Sequence, residues 1–343
     1  MMQLRPILTI TLKMILCTGL LIPASLISSN PNGWLTLSTA SAANQQVDPA
    51  PKELRSFAED VIRKLAQSES FAAWEGANPF IEPLGPGTHS WLVTVQSAQT
   101  KEEVEGAPLG YLIISVTTDG QYKLVEYGAG PDSLYSKATL SVGLKDSGIA
   151  IGINSTGVTA IPLYGGPALA EWMIKMPGTG SAVQFLNASN GEQLPETVKS
   201  WQLQTHSYKA PQTAAGSGQP ELIPSRIVRT AEGFKPYDNL LWMTAKELPN
   251  KRETLIKQLT LSKQLVFVAS GPKRTYSLPL PVYGYQTWTE DDSPNADKKL
   301  TGSIYLLTGS AASPRLIALD ALMDAGKFVK YQDQHSFTLT KAQ

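Results

Sequence analysis

Apolar residues recur at helical spacing near the start of the chain and at strand spacing further on. Between Pro51 and Gln67 they fall three or four positions apart with charged residues between them, which is typical of an amphipathic helix. Two apolar runs, 110–116 and 122–127, flank the turn sequence Thr118-Asp119-Gly120. Because Asp-Gly between two strand-like runs predicts a β-hairpin, we expect a helix followed by an antiparallel sheet.

Beyond this hairpin the apolar runs are shorter and are separated by turn-forming residues. They predict strands at 148–153, 158–163, 168–176 and 182–187. One helix followed by several antiparallel strands makes an α+β domain, which we place at 43–208.

The pattern is interrupted at 209–220, where the chain reads KAPQTAAGSGQP and has almost no apolar side chains. Such a composition predicts a linker, which we place at 209–221. Helix and strand patterns resume after it. We therefore predict a second, smaller α+β domain at 222–343.

In this second segment, helical spacing predicts a helix at 251–262, and an apolar run predicts a strand at 264–270. The next β-rich run carries Pro279 and Pro281. Since proline cannot donate to a ladder, these two residues predict a sheet edge or a bend. Turn signals predict the remaining elements, a hairpin across 309–314 and a helix at 319–325 that ends at Gly326.

The N-terminal segment has the composition of a secretion signal. Arg5 and Lys13 precede an apolar run at 14–27, and small residues follow at 40–43. This order predicts a signal peptide at 1–42, with a retained membrane anchor as the alternative. The expected location is secreted or cell envelope, with membrane contact only through this segment if it is uncleaved.

The composition excludes several classes of chemistry. The single cysteine, Cys17, lies inside the predicted signal, so the mature chain would lack a thiol nucleophile, a thiolate ligand and a disulfide. The chain has 29 Lys+Arg and 29 Asp+Glu residues, a formal net charge of zero. This balance argues against a nucleic-acid partner, since phosphate binding needs a positive excess. The glycines of 164–167 precede a strand rather than a helix, so no cofactor is expected.

Ionisable residues offer few arrangements that carry chemistry. His89, His206 and His335 are far apart and do not stand beside carboxylate pairs at ligand spacing, so no metal site is assigned. Oxygen ligands are concentrated between Glu290 and Asp297, where a calcium site stays open although the spacing fits no standard loop. Four other segments come close to catalytic motifs: Asp146-Ser147-Gly148, Asp324-Ala325-Gly326, Ser270-Gly271-Pro272-Lys273 and Asn154-Ser155-Thr156-Gly157.

None of these four segments completes its motif. Lys145 interrupts the apolar approach to the first aspartate, and Ala325 replaces a hydroxyl residue in the second, so turn and helix-cap roles are expected for both. Gly271 and Pro272 prevent the helical turn of a Ser-x-x-Lys pair, and Ile153 stands where a nucleophile elbow needs glycine. No catalytic residue is assigned. Six tryptophans are expected in the core rather than on a carbohydrate platform: Trp74, Trp91, Trp172, Trp201, Trp242 and Trp288.

Several features of the first half occur together in one known class of module. They are the helix at Glu53–Leu65, the strands Gly110–Val116 and Tyr122–Gly128, and the turn at 187–192. The first half thereby resembles the PepSY-like and propeptide-like modules of exported bacterial proteins, whose turn often reads DA-x-x-G-E; here Asn187 replaces the aspartate. The resemblance implies an α+β module with a binding or inhibitory role.

The second half has the order helix, β run, a strand ending in Gly284-Tyr285, the strand 304–307 and a terminal helix. This order resembles the second half of bacterial papain-like peptidases of the bacteriocin-processing type. In that family a catalytic His opens the strand before the Gly-Tyr pair, and an Asp or Asn follows the next strand. Those places fall near Leu278 and Thr308 here, and the cysteine half-motif is absent, so the resemblance implies a degenerate peptidase without catalytic groups.

The function expected from the sequence is that of an exported, non-catalytic protein that binds or inhibits a protein partner at the cell envelope. Two alternatives stay open: a hydrolase of unrecognised type using carboxylates near Asp291–Asp297, and a structural envelope component. If the protein is an enzyme, we expect a concave pocket lined by two carboxylates or a histidine. If it is a binding module, we expect an exposed apolar patch.

Overall fold

The structure of the protein is a computed structural model. It describes residues 50–85, 88–98, 107–131, 134–149, 158–176, 183–205, 208, 210, 222–269, 276–289, 302–310 and 313–331. All of the described residues belong to one compact unit, residues 36–343. The predicted signal peptide at 1–42 lies outside the described residues.

Helix α1 spans Lys52–Ala66, as the apolar spacing predicts. Its buried face consists of Leu54, Ala58, Val61, Ile62, Leu65 and Ala66. Glu53 in the first turn and Lys64 in the last complement the partial charges at the two helix ends. A 3₁₀ turn at Glu69–Trp74 then leads the chain into the sheet.

Four strands follow and form an antiparallel meander: β1 (Asn78–Pro83), β2 (Ser90–Gln96), β3 (Pro108–Val116) and β4 (Tyr122–Ala129). The turn between β3 and β4 contains Gly120 at φ +83°, a conformation that glycine adopts without strain. The Gly120 amide donates to the Thr117 carbonyl at 3.1 Å. The hairpin predicted from Asp119-Gly120 is confirmed.

Helix α2 (Lys137–Asp146) is not predicted by the sequence pattern. Only Leu140, Gly143 and Leu144 are buried along it, which is too short an apolar stripe to give a clear helical period. The strand predicted at 148–153 begins in the turn after this helix, and residues 150–153 lie outside the described part of the chain.

A second, four-stranded antiparallel sheet consists of β5 (Thr159–Tyr164), β6 (Ala170–Lys175), β7 (Val183–Asn187) and β8 (Gln193–Leu194). The first three confirm the strands predicted at 158–163, 168–176 and 182–187. Helix α3 (Val198–Thr205) follows and is absent from the prediction.

The remaining elements lie beyond residue 221. In chain order they are β9 (Ile223–Pro224), β10 (Val228–Arg229), 3₁₀ turns at Pro236–Asp238 and Leu240–Thr244, α4 (Arg252–Ser262), β11 (Leu265–Ala269), β12 (Pro279–Val282), β13 (Gly284–Thr289), β14 (Ser303–Gly309), β15 (Pro314–Ala318), α5 (Leu319–Ala325) and β16 (Gly326–Lys330).

Two local predictions about this segment have different outcomes. The edge role of Pro279 and Pro281 is confirmed, because β12 is an outer strand of the three-stranded sheet β12-β11-β16. Helix α5 does end before Gly326, but this glycine is extended (φ 179°) rather than left-handed. A Cβ there would meet the Val268 carbonyl oxygen at 2.3 Å, so close strand packing, not helix capping, requires glycine.

One long antiparallel sheet joins the two halves of the chain. Its strand order is β1-β2-β3-β4-β15-β14-β13-β10, with β9 also paired to β13. The halves meet where Leu316 and Ile317 of β15 pair with Tyr127 and Glu126 of β4. The α+β class is therefore confirmed.

The prediction of separate domains at 43–208 and 222–343 is corrected to one α+β unit with a shared sheet and a shared apolar cluster. The predicted linker at 209–221 lies outside the described residues except at Ala210. That residue is buried, and its amide donates to the Val116 carbonyl at 3.2 Å. The composition of 209–220 indicates little apolar burial, but it carries no information on which strands pair across it.

Among the described residues, buried apolar side chains form three clusters. The largest packs α1 against the long sheet and contains residues from both halves, among them Leu54, Val93 and Leu316. In the small sheet, successive residues of β11 face opposite sides. Leu265 and Phe267 pack with α4 and α5, while Val266 and Val268 pack with Trp242 from the second 3₁₀ turn.

Candidate functional site

Of the three histidines, His89 alone lies in the described part of the chain. His89 is exposed, and its carbonyl accepts the Val116 amide at 2.9 Å. His206 and His335 lie outside the described residues. Among the residues that are described, no three His, Cys, Asp or Glu side chains are grouped so as to hold a metal ion.

The segment Asp146-Ser147-Gly148 ends helix α2. Asp146 is exposed, and Ser147 Oγ donates to the Gly143 carbonyl at 2.7 Å. Gly148 has φ +75°, and its amide donates to the Lys145 carbonyl at 3.1 Å. The turn interpretation of this segment is confirmed.

Asp324, in the other aspartate segment, borders a charged cluster between β4, α4 and α5. Arg252 binds both carboxylate oxygens of Asp320, through Nε at 2.8 Å and through Nη2, and Lys123 Nζ lies 3.7 Å from Asp320 Oδ2. Burial lowers the pKa of Lys123, with Asp320 acting in the opposite direction. Burial and then Asp320 raise the pKa of Asp324. The cluster links helices of the second half to a strand of the first.

Three segments singled out in the sequence lie outside the described residues: Ser270–Lys273, Asn154–Gly157 and the acidic loop Glu290–Asp297.

The places that correspond to the peptidase histidine and aspartate hold no ionisable group. Leu278 is half-buried against the second apolar cluster, and its carbonyl accepts the Ala269 amide at 3.2 Å. Thr308 is fully buried in β14, and its carbonyl accepts the Tyr283 hydroxyl at 3.2 Å. Both residues have packing roles in the sheets.

The core prediction for the tryptophans is confirmed for five of the six. Trp74, Trp172, Trp201, Trp242 and Trp288 are buried. Trp91 is half-buried and meets Tyr122 edge to face, with ring centroids 5.9 Å apart.

Two buried charges of opposite sign, Glu126 and Arg315, form an ion pair at the junction of the halves. Glu126 on β4 is fully buried, and its carboxylate accepts Arg315 Nε at 2.6 Å and Arg315 Nη2 at 3.0 Å. The Tyr111 hydroxyl donates to the same carboxylate. Burial lowers the pKa of Arg315, but Glu126 and then Tyr111 raise it more, so the guanidinium stays charged. The pair is bidentate and almost completely buried, which suits a structural link.

Buried tyrosines surround this ion pair and fix the β5–β6 turn against the long sheet. The Tyr135 hydroxyl donates to the Leu163 carbonyl at 2.6 Å, and Arg315 Nη2 donates to the Pro167 carbonyl at 3.4 Å. Tyr164 and Tyr208 meet edge to face at 5.9 Å. Burial raises the pKa of both phenols, so these hydroxyls stay protonated. The sequence pattern excludes a phosphate loop at 164–167. These contacts instead attach this turn of the second sheet to the long sheet.

A pair of carboxylates, those of Glu171 and Glu196, lies near the hydroxyl of Tyr276. The Tyr276 hydroxyl is 3.4 Å from both Glu171 Oε1 and Glu196 Oε2, and Gln204 Nε2 donates to Glu196. Each of these four residues also takes part in at least one further interaction. Glu171 and Glu196 are both buried, so a substrate has little access to either carboxylate.

Exposed apolar side chains are concentrated in the two 3₁₀ turns at 236–244. Tyr237, Leu240, Leu241 and Met243 are exposed by 62%, 54%, 37% and 65%, and we refer to these four residues as the apolar ridge. Large apolar side chains this exposed mark an interaction surface when they are adjacent.

The apolar ridge stands on a fixed base. Trp242 is buried against Val266 and Val268 of the small sheet, and its Nε1 donates to the Pro236 carbonyl at 2.8 Å. Asn239 Oδ1 accepts the Leu241 amide at 3.0 Å and caps the second turn. Hydrophobic periodicity in the sequence does not reveal this ridge, because short 3₁₀ turns have no extended hydrophobic period.

No family model, curated protein or solved structure matches the chain. Over the described residues, no helix is long and apolar enough to cross a membrane.

Proposed function

We propose that this protein is an exported, non-catalytic binding module, and that the apolar ridge is the surface that contacts its protein partner. The observation that supports this proposal is the exposure of Tyr237, Leu240, Leu241 and Met243 on a base that Trp242 holds in place. Tyrosine and methionine are enriched in protein interfaces, where a flexible thioether adapts to an irregular partner.

Because its base is fixed, the apolar ridge loses little conformational entropy when a partner binds. Because Trp242 and Asn239 already fix the two turns, little backbone freedom is lost when a partner covers the ridge. The expected occupant is an apolar face of another protein rather than an extended strand. The ridge offers side chains, not a row of free backbone groups.

The alternative of a carboxylate hydrolase has less support among the described residues. Glu171 and Glu196 both lie near the Tyr276 hydroxyl, and both are buried. A general acid and base must reach the substrate, and burial in the protein interior prevents that contact. The acidic loop Glu290–Asp297 is outside the described residues.

The test compares capture by matched variants. Residues 43–343 are immobilised as wild type, as the ridge variant Leu240→Ser with Met243→Ser, and as a control variant, Val142→Ser with Leu261→Ser. The control side chains are exposed by 56% and 65% but lie on α2 and α4. Proteins captured from the cell-envelope fraction are quantified, and the affinity of each one enriched by wild type is then measured directly.

We expect one enriched partner to bind the ridge variant at least about tenfold more weakly and the control variant as tightly as wild type. Equal affinity of the partner for wild type and the ridge variant would place the interface elsewhere. Ridge-dependent binding to phospholipid vesicles without any protein partner would contradict the proposal, as would hydrolase activity with no partner recovered.

A further inference from the structure

Three aromatic rings form a partly exposed corner at one end of the packing between α1 and the long sheet. Phe57 lies on α1, Trp91 on β2 and Tyr122 on β4, and each side chain is half-buried. The Tyr122 ring centroid lies 5.9 Å from that of Trp91 and 6.2 Å from that of Phe57. The Trp91 and Tyr122 ring planes meet at 76°, so they form two walls.

The register of the sheet explains why these rings meet. Trp91 pairs with Ile114 of β3, and Tyr122 pairs with Val116 two residues further along the same strand. Residues two apart on a strand, and residues directly paired across strands, lie on one face. Trp91 and Tyr122 therefore face α1 together, while Lys123 faces the opposite side.

A carboxylate stands at the rim of this corner. Glu53 lies one helical turn before Phe57 on the same face of α1. It is exposed, and its charge acts on the Tyr122 phenol, whose pKa is raised by partial burial and then by Glu53. The corner thus combines three neighbouring aromatic rings with one negative charge that acts on the Tyr122 ring.

We propose that Phe57, Trp91, Tyr122 and Glu53 form a binding site for an alkylammonium group. An aromatic ring attracts a cation to its face through its quadrupole, and walls at a steep angle contact two sides of the same group. A carboxylate beside the rings adds charge complementarity that a sugar or a neutral apolar ligand cannot use. The site lies on a helix and two strands, so its geometry is set before the ligand arrives. It is independent of the apolar ridge and of the proposed protein-binding function.

The alkylammonium group has two possible sources, a lysine side chain and a choline-type head group. We would titrate the full mature chain, residues 43–343, with Nα-acetyl-lysine amide in one arm and with choline in the other. The neutral control is 3,3-dimethylbutanol, which has the shape of choline without its charge. Binding is followed by the indole N–H resonance of Trp91, which is identified by its absence in Trp91→Phe.

At least one of the two cations is expected to shift this resonance with a dissociation constant of about 1–50 mM, and the neutral alcohol to bind at least about fivefold more weakly. The arm with the tighter binding identifies the source. Equal binding of choline and its neutral analogue would overturn the proposal, because it would reveal an apolar corner only. The absence of any shift with either cation up to about 100 mM would overturn it too.

Variants of this site distinguish the contribution of the aromatic ring from that of the carboxylate charge and from an effect on folding. Tyr122→Phe keeps the ring and is expected to bind like wild type, whereas Tyr122→Leu removes one wall and is expected to lose at least about fivefold in affinity. Glu53→Gln neutralises the rim and is expected to weaken cation binding without changing that of the neutral alcohol. Similar affinities for Tyr122→Phe and Tyr122→Leu, in chains with unchanged thermal unfolding, would contradict the assigned role of the ring.

Discussion

Glu126 and Arg315 are 189 residues apart in the chain and lie side by side in the core. Glu126 is fully buried and Arg315 is nearly so, and each satisfies the other through two hydrogen bonds. The attraction between two buried charges roughly offsets the cost of removing them from water, so the net gain from the pair is small. The cost of removing only one partner is large, because the other charge then stays buried alone.

Arg315→Met is therefore expected to lower the free energy of unfolding by about 3–5 kcal/mol. Unfolding in urea, followed by far-UV circular dichroism, measures this loss. The triple variant Glu126→Leu, Tyr111→Phe, Arg315→Met removes all three linked polar groups and should recover most of it. A triple variant less stable than Arg315→Met alone would contradict this account of the pair.

The pKa of Lys123 gives a second prediction at this scale. Because burial lowers that pKa in the folded protein, the unfolded chain holds the proton more tightly. As pH rises through the window between the lowered value and 10.5, the folded protein should gain stability relative to Lys123→Met. Urea unfolding of both proteins across this range measures the difference, and a difference that shrinks with rising pH would refute the sign.

The sequence did not predict either charged contact. Glu126 sits in the apolar run YKLVEY, where it suggests a solvent-facing strand position, and Arg315 opens a short apolar run far downstream. Their meeting depends on the pairing of β4 with β15, and no local pattern in one sequence encodes that pairing. Hydrophobic periodicity identifies which face of a helix or strand is buried, but not which other element pairs with it or packs against it.

Among the elements, α1 and the β3–β4 hairpin follow directly from the sequence, and α2 and α3 do not. The first two carry a full amphipathic period or a strong turn signal, whereas α2 buries only Leu140, Gly143 and Leu144. Packing rather than propensity determines α2. Gly143 lies against the backbone of Gly191 in the β7–β8 turn, which has φ +76°.

Gly143→Ala tests that packing. A Cβ at residue 143 would lie 2.4 Å from the Gly191 carbonyl oxygen, so the turn or the helix must shift. Alanine favours a helix by about 1 kcal/mol over glycine, but overpacking against backbone costs about 1–3 kcal/mol. We expect a net loss of stability in thermal unfolding. Val142→Ala, one residue away and exposed, should change the unfolding free energy by less than about 0.5 kcal/mol. A stabilised Gly143→Ala would show that the contact is loose.

The whole molecule is expected to unfold as one unit, because a single sheet and its largest apolar cluster draw on both halves of the chain. Urea transitions followed by tryptophan fluorescence and by circular dichroism should coincide. Residues 43–208 and 222–343, expressed separately, should each lack a sharp transition, since each leaves one side of the β4–β15 junction unpaired. Cooperative unfolding of both separate fragments would contradict this expectation.

The pairing of β4 with β15 also has a consequence during synthesis, because β4 is made long before its partner strand. A ribosome adds about 5–20 residues per second, so the 189 additions that lead from Glu126 to Arg315 take about 10–40 s. During that time the edge of β4 that later pairs with β15 is open, and the Glu126 carboxylate has no guanidinium beside it. We therefore expect a chain that ends before β15 to be held by a chaperone, because its β4 edge and its Glu126 carboxylate are both unpaired.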